Sequence, residues 1–201
     1  AFGLCTSLRS VTFEAGATIT EIPASAFRGC SSLVSVNVPD TVETIYGGAF
    51  AQCPLLQMSR LPSAIKRLPS NQYGAFQQSG SISISSLPDS ITDLPSACFT
   101  SCTNVAIPSL PPNLTNIGSA AINGTASTVN RIPATVVALG RGCLANNITA
   151  LYFEGTPTTI NEYAFENLDN CRDIYVPWAS GTVANAPWSA RNATIHYNYT
   201  P

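Results

Sequence analysis

Large apolar residues return along this chain at a spacing too long for one helix or strand. The marker is a pair, alanine followed by a large apolar residue: Ala1-Phe2, Ala26-Phe27, Ala49-Phe50, Ala75-Phe76 and Ala164-Phe165. Degenerate copies at Cys98-Phe99, Ala121-Ile122 and Cys143-Leu144 fill the gap. Successive markers are 21 to 26 residues apart. Self-similarity at a period of roughly 20–50 residues is the signature of a stacked repeat. Other columns hold the same phase. Ile22, Ile45, Leu94, Ile117, Leu139 and Ile160 each precede the large marker residue by five. An apolar-proline pair follows it, as in Val38-Pro39, Leu61-Pro62, Leu87-Pro88, Leu110-Pro111, Ile132-Pro133 and Val176-Pro177.

Each unit reads as two short extended pieces and a tight or helical turn. Leu33–Val38 alternates towards its end as a half-buried strand does, and Pro39 then stops it by removing a backbone donor. Ile45 and its equivalents mark the second extended piece, and the Ala-Phe pair marks the turn. No piece can bury its apolar face alone, so the units must stack into one core with a parallel sheet. Three extra residues within Ser70–Tyr73 leave both flanks in phase, which predicts a surface loop. In four middle units the central strand residue comes one place early, at Met58, Ile84, Ile107 and Val129. Such a shift flips side chains unless a bulge absorbs it, so an irregular sheet is expected across residues 57–132.

The pattern is complete from Ala26 to Phe50, as AF-xx-C-xx-L-xx-V-x-V-P-xx-V-xx-I-xxx-AF. It resembles the BspA-like class of leucine-rich repeats. Units at 2–27, 27–50 and 144–176 fit well, while 76–99 and 99–144 fit loosely. The tail from Val176 to Asn198, with both tryptophans, is similar to the closing segments of bacterial proteins of this class. The resemblance implies an α/β repeat: a right-handed solenoid of about seven to eight units with a parallel sheet on its concave face. It is expected to run as a single solenoid over 1–201, with repeats to about 177 and a C-terminal cap over 178–201 that includes a last strand at Ala193–Tyr199. It also implies an extracellular or cell-surface location and adhesion to a host or bacterial surface. The sequence starts in mid-motif at Ala1-Phe2 with no polar cap before it, so missing residues or further domains of the same chain are expected on the N-terminal side.

Composition narrows the function. Charged residues make up 10% of the chain, and 9 Lys+Arg against 11 Asp+Glu leave a net charge of -2. That is far from the basic stripe of a nucleic-acid binder. No apolar run is long enough for a membrane-spanning helix, and the first twenty residues lack a basic start followed by an apolar core. The seven cysteines follow the repeat. Cys5, Cys30, Cys53 and Cys102 come three residues after the marker Phe, and Cys98 and Cys143 replace its alanine. They are expected to be free, buried thiols. Cys98 and Cys102 are four apart but lack two further ligands, so no metal is expected. His196 is the only histidine and stands in the expected last strand, which suits an edge position better than a catalytic one. No cofactor motif and no catalytic residues are identified. Five Asn-x-Ser/Thr sequons, from Asn113 to Asn198, are near the number chance gives.

A repeat stack offers one long concave surface for binding. Its outward column reads Thr12, Asn37, Arg60, Ser86, Ser109, Arg131, Tyr152 and Tyr175. The start is small and polar. The end gathers Arg131, Tyr152 and Tyr175 near Asp173 and Trp178, the residue types of binding hot spots, with aromatics that also suit sugar stacking. These five are the candidate binding residues. The expected function is non-enzymatic recognition of a protein or glycan. Alternatives are a virion-associated receptor-binding part of a bacterial virus, a structural spacer, or, from another class, a glycan hydrolase.

Overall fold

A computed structural model describes residues 1–200 as a stack of coils built from twelve short strands, numbered β1 to β12 in chain order. The strands form two parallel rows along the stack. The first row contains β1 (Ser10–Val11), β3 (Ser35–Val36), β7 (Arg131–Ile132), β9 (Ala150–Phe153), β11 (Asp173–Tyr175) and β12 (Thr194–His196). The second contains β2 (Glu21–Ile22), β4 (Thr44–Ile45), β5 (Asp93–Leu94), β6 (Asn116–Ile117), β8 (Ala138–Leu139) and β10 (Thr159–Ile160). Pairing follows the repeat columns: Ile22 faces Ile45, and Leu94, Ile117, Leu139 and Ile160 stand in one line. The last strand is shorter than the expected Ala193–Tyr199.

Among the described residues there is no helix, so the expectation of an α/β repeat is corrected to an all-β stack. The backbone of the Ala-Phe turn gives the reason. Left-handed residues bracket the marker on both sides: Ser25 and Gly29 around Phe27, Gly48 and Gln52 around Phe50, and Ala97 and Ser101 around Phe99. A right-handed helix cannot run through them. The conformation instead points alternate N–H groups at the next coil. Phe27 donates to the Ala49 carbonyl (2.8 Å) and Gly29 to that of Ala51 (2.9 Å), and Phe99 and Ser101 do the same to Ala121 and Asn123. The turns are thus a third line of hydrogen bonds along the stack, which satisfies donors that would otherwise be buried and unpaired.

One apolar core runs through the coils. Phe27, Phe50, Phe76 and Phe99 stack within it and Phe2 continues the stack at its exposed end, with centroids 5.3–5.8 Å apart and planes within 10° of parallel. Such offset pairs add about 0.5–1.5 kcal/mol each beyond their buried area. The irregularity expected across 57–132 is present: the first row has no strand between Val36 and Arg131. Single backbone bonds still link its coils, as from Ser83 N to Met58 O (2.9 Å) and Ala106 N to Ile84 O (3.0 Å). In these coils Leu56 and Met58 point in, Ser59 and Arg60 both point out, and Leu61 points in again. In β9 the chain alternates without such a pair. The doubled outward step accompanies the broken ladder in these coils, and Asn130 and Arg131 repeat it where β7 resumes the row. The loop at residues 70–73 is exposed for most of its length and folds over the preceding turn, where Asn71 Nδ2 donates to the Gly47 carbonyl at 3.1 Å.

Candidate binding face

The first row becomes regular again at β7, and there the candidate residues meet. Strand β9 alternates cleanly, with Leu151 and Phe153 inward and Ala150 and Tyr152 outward. Strand β11 does the same, with Ile174 inward between Asp173 and Tyr175. The parallel register aligns Arg131 with Tyr152, Tyr152 with Tyr175, and Tyr175 with His196. Neighbouring strands are about 4.8 Å apart, so aromatic rings in one column are brought face to face. The Tyr152 and Tyr175 centroids are 4.6 Å apart at 4°, and those of Tyr175 and His196 are 4.4 Å apart at 13°. Arg131 closes one end, its guanidinium carbon 5.3 Å from the Tyr152 centroid, within cation–π range.

Charges frame the ladder. Arg131 also reaches Glu154 at 3.6 Å. His196 Nε2 lies 2.8 Å from Asp173 Oδ1, and a carboxylate can only accept, so the imidazole N–H donates. The Tyr175 phenol is pushed above its ordinary value by loss of water, then by the nearby Asp173, Tyr152 and Tyr199. It therefore keeps its proton at neutral pH. The other arginine of the column is engaged elsewhere: Arg60 grips Asp40 with two bonds of 2.6 and 3.0 Å, which holds that carboxyl well below the usual range.

Two depressions lie along the ladder, one against Tyr152 and one against Arg131. One of about 240 Å³ is lined by Thr128, Asn130, Asn147 and Thr149, and one of about 360 Å³ by Ser109, Asn130, Arg131 and Glu154. A larger depression of about 490 Å³ lies far from the ladder, beside Thr12, Glu14 and Asn37.

Arg131, Tyr152, Tyr175 and Asp173 thus share one outer face, but Trp178 does not join them. It is 5% exposed and packs inward, edge-on to Phe153 (5.2 Å) and to Trp188 (6.3 Å). A large ring just after the Val176-Pro177 stop fills the interior of the last coils rather than marking the surface. The geometry also alters the reading for sugar stacking, because the faces of Tyr152 and Tyr175 are spent on each other. What the ladder offers outward is ring edges and their polar tips.

Two members of the ladder are not among the candidate binding residues, although the sequence places His196 in the last strand. His196 extends the ladder, and aligning Thr194-Ile195-His196 with Asp173-Ile174-Tyr175 would have found it. Tyr199 leans across the ladder from the chain that follows β12, where no repeat pattern exists to locate it.

The cysteine column has a role that packing alone did not reveal. Cys30 Sγ contacts the Phe2 carbonyl at 3.1 Å, Cys53 that of Phe27 at 3.1 Å, and Cys102 that of Phe76 at 2.9 Å. Ser79 fills the same position with a 2.6 Å bond to the Phe50 carbonyl. The column is therefore a line of small donors, each satisfying a turn carbonyl of the previous coil. All seven cysteines are free, and all but Cys5 are buried. Burial pushes the Cys53, Cys102 and Cys143 thiols up to about 12. Among the described residues no three His, Cys, Asp or Glu side chains gather in one place.

Known proteins place the repeat. The family model for the BspA-type leucine-rich repeat region matches residues 1–75 and 72–186, in six copies. No curated protein matches the chain. A leucine-rich repeat protein from Bacteroides ovatus ATCC 8483 is similar in structure, with a TM-score of 0.51 and 17% identity over 98% of this chain and 63% of that one. A leucine-rich cell surface protein from Faecalibacterium prausnitzii A2-165 is also similar, with a TM-score of 0.58 and 20% identity over 99% of this chain and 62% of that one. The chain thus spans somewhat less than two thirds of either neighbour. Matched over most of its length, the chain belongs to the BspA-type leucine-rich repeat family.

Proposed function

We propose that this chain is a non-enzymatic, surface-exposed recognition module that binds a protein or glycan on a host or bacterial cell through the outer face of its first strand row. The observation that carries this reading is the in-register ladder Arg131–Tyr152–Tyr175–His196. Tyrosine and arginine are enriched where binding energy concentrates, and fixed side chains lose little freedom on docking. Of the rest of the column, Thr12, Asn37, Ser86 and Ser109 are small and polar and Arg60 is held by Asp40, so it adds contact area without a comparable anchor. The extracellular assignment draws its support from the family and from the similar F. prausnitzii protein, which is described as a cell surface protein.

Binding of the purified chain to an array of matrix proteins, glycans and bacterial envelopes tests the reading. Saturable binding to one class is the expected result. Failure to bind any class contradicts it and favours a spacer.

A further inference from the structure

The ladder already has an occupant from its own chain. After β12 the backbone turns back over the sheet, fixed by Asn198 N to Trp178 O (3.1 Å) and Tyr199 N to Val176 O (2.9 Å). This sets the Tyr199 ring across the step between two ladder rings. Its centroid is 5.7 Å from that of Tyr152, tilted 54°, and 5.2 Å from that of Tyr175, tilted 57°. The distances are those of favourable aromatic pairs, at tilts between stacked and edge-to-face. The stacked rings of Tyr152 and Tyr175 leave only their edges free, and one aromatic side chain fits there.

The geometry points to a seat for an aromatic side chain of a partner protein, covered in the free molecule by Tyr199. The ligand class is an extended protein segment bearing a tyrosine or phenylalanine, which takes the place of Tyr199 when it docks. The stacked faces of Tyr152 and Tyr175 count against a sugar, and the depression beside the seat gives a peptide backbone a place to lie. Thr128, Asn130, Asn147 and Thr149 line it and supply side-chain donors and acceptors next to Tyr152, suited to the backbone that must flank an inserted ring. Arg131 pairs with Glu154 at one end of the ladder and Asp173 with His196 at the other, so the charges there are already engaged within the chain. The seat therefore selects for ring shape rather than for net charge. Displacement of Tyr199 reduces apparent affinity by the fraction of time the seat is covered.

The inference rests on the proposed binding face and goes beyond it by naming the ligand class and the cover. Its test uses the whole chain, N-acetyl-tyrosine amide as probe, N-acetyl-alanine amide and methyl glucoside as controls, and backbone amide shifts as readout. In Tyr199→Ala the tyrosine probe should bind about 10-fold tighter than in wild type, with shifts centred on residues 150–153 and 173–175. Tyr199→Phe should behave as wild type, because the ring is kept. Equal probe affinity in wild type and Tyr199→Ala, shifts centred elsewhere, or saturable shifts with methyl glucoside and none with the tyrosine probe would overturn the inference. Should that happen while Tyr152→Ala/Tyr175→Ala still abolishes binding of an array partner, the face stands and only the aromatic seat falls. Should the double variant keep its array partner, the face itself falls.

Discussion

Ser79 Oγ donates to the Phe50 carbonyl at 2.6 Å and accepts from the Cys53 N–H at 3.0 Å, joining two coils inside the core. Both backbone groups are cut off from water, so removing the hydroxyl leaves a donor and an acceptor unpaired. Ser79→Ala should cost about 2 kcal/mol or more in urea unfolding. Ser79→Cys, which restores the residue type of neighbouring coils, should cost less than half of that. Equal losses would show that the column needs only small size.

The buried thiols predict behaviour in base. Thiols with an ordinary value of 9.0 are raised to about 12 at Cys53, Cys102 and Cys143. A group raised on folding stabilises the native state fully below its unfolded value, and that contribution disappears as pH rises to the folded value. Each thiol should therefore remove about 1.4 kcal/mol per pH unit between 9 and 12. Denaturant titrations at pH 8 and 10.5 measure the slope, and Cys102→Ser should make it shallower. At pH 8 the native chain should react with a thiol reagent at Cys5 alone, the exposed cysteine.

Gly74 is required by close approach rather than by its backbone angles. A Cβ built there overlaps the carbonyl of Ala97 in the next coil. Backbone cannot step aside as a side chain can, so Gly74→Ala should force the coils apart and lower stability by at least about 3 kcal/mol. Gly16→Ala meets no atom within 4 Å and is the control, though its φ of +83° adds strain of about 1 kcal/mol.

Trp178 and the ladder tyrosines should separate in their effects. Trp178→Ala empties a buried site and should cost about 3–5 kcal/mol in stability. Tyr152→Ala and Tyr175→Ala remove half-buried outer side chains and should cost about 1 kcal/mol each. If Trp178→Ala left stability unchanged while binding fell, its assignment to the interior would be wrong.

The period, the inward columns and the break in the first row were legible because burial repeats with the coil. Met58 and Ile84 betrayed the doubled outward step by arriving one residue early. The residues alone leave the turn as tight or helical, and the resemblance adds the α/β class, because residues such as Ser25, Gln52 and Ala97 carry no mark of a left-handed backbone. The inter-coil bonds that hold them there exist only once coils are stacked. At the binding face, Arg131, Tyr152 and Tyr175 followed from the column. Trp178 did not, because its position after the proline stop belongs to no column and an aromatic there can turn either way. The ring planes of the tyrosines, and Tyr199 across them, depend on distances that no linear pattern carries.

The central claim is that the tyrosine ladder anchors a partner. The direct measurement is the affinity of the partner identified on the array for wild type and for Tyr152→Ala/Tyr175→Ala, with Ser86→Ala/Ser109→Ala as the control on the same face. Two hot-spot tyrosines predict a loss of about 100-fold or more in the first variant, with little change in the second. Unchanged affinity in a folded Tyr152→Ala/Tyr175→Ala chain would contradict the claim and move recognition to another surface.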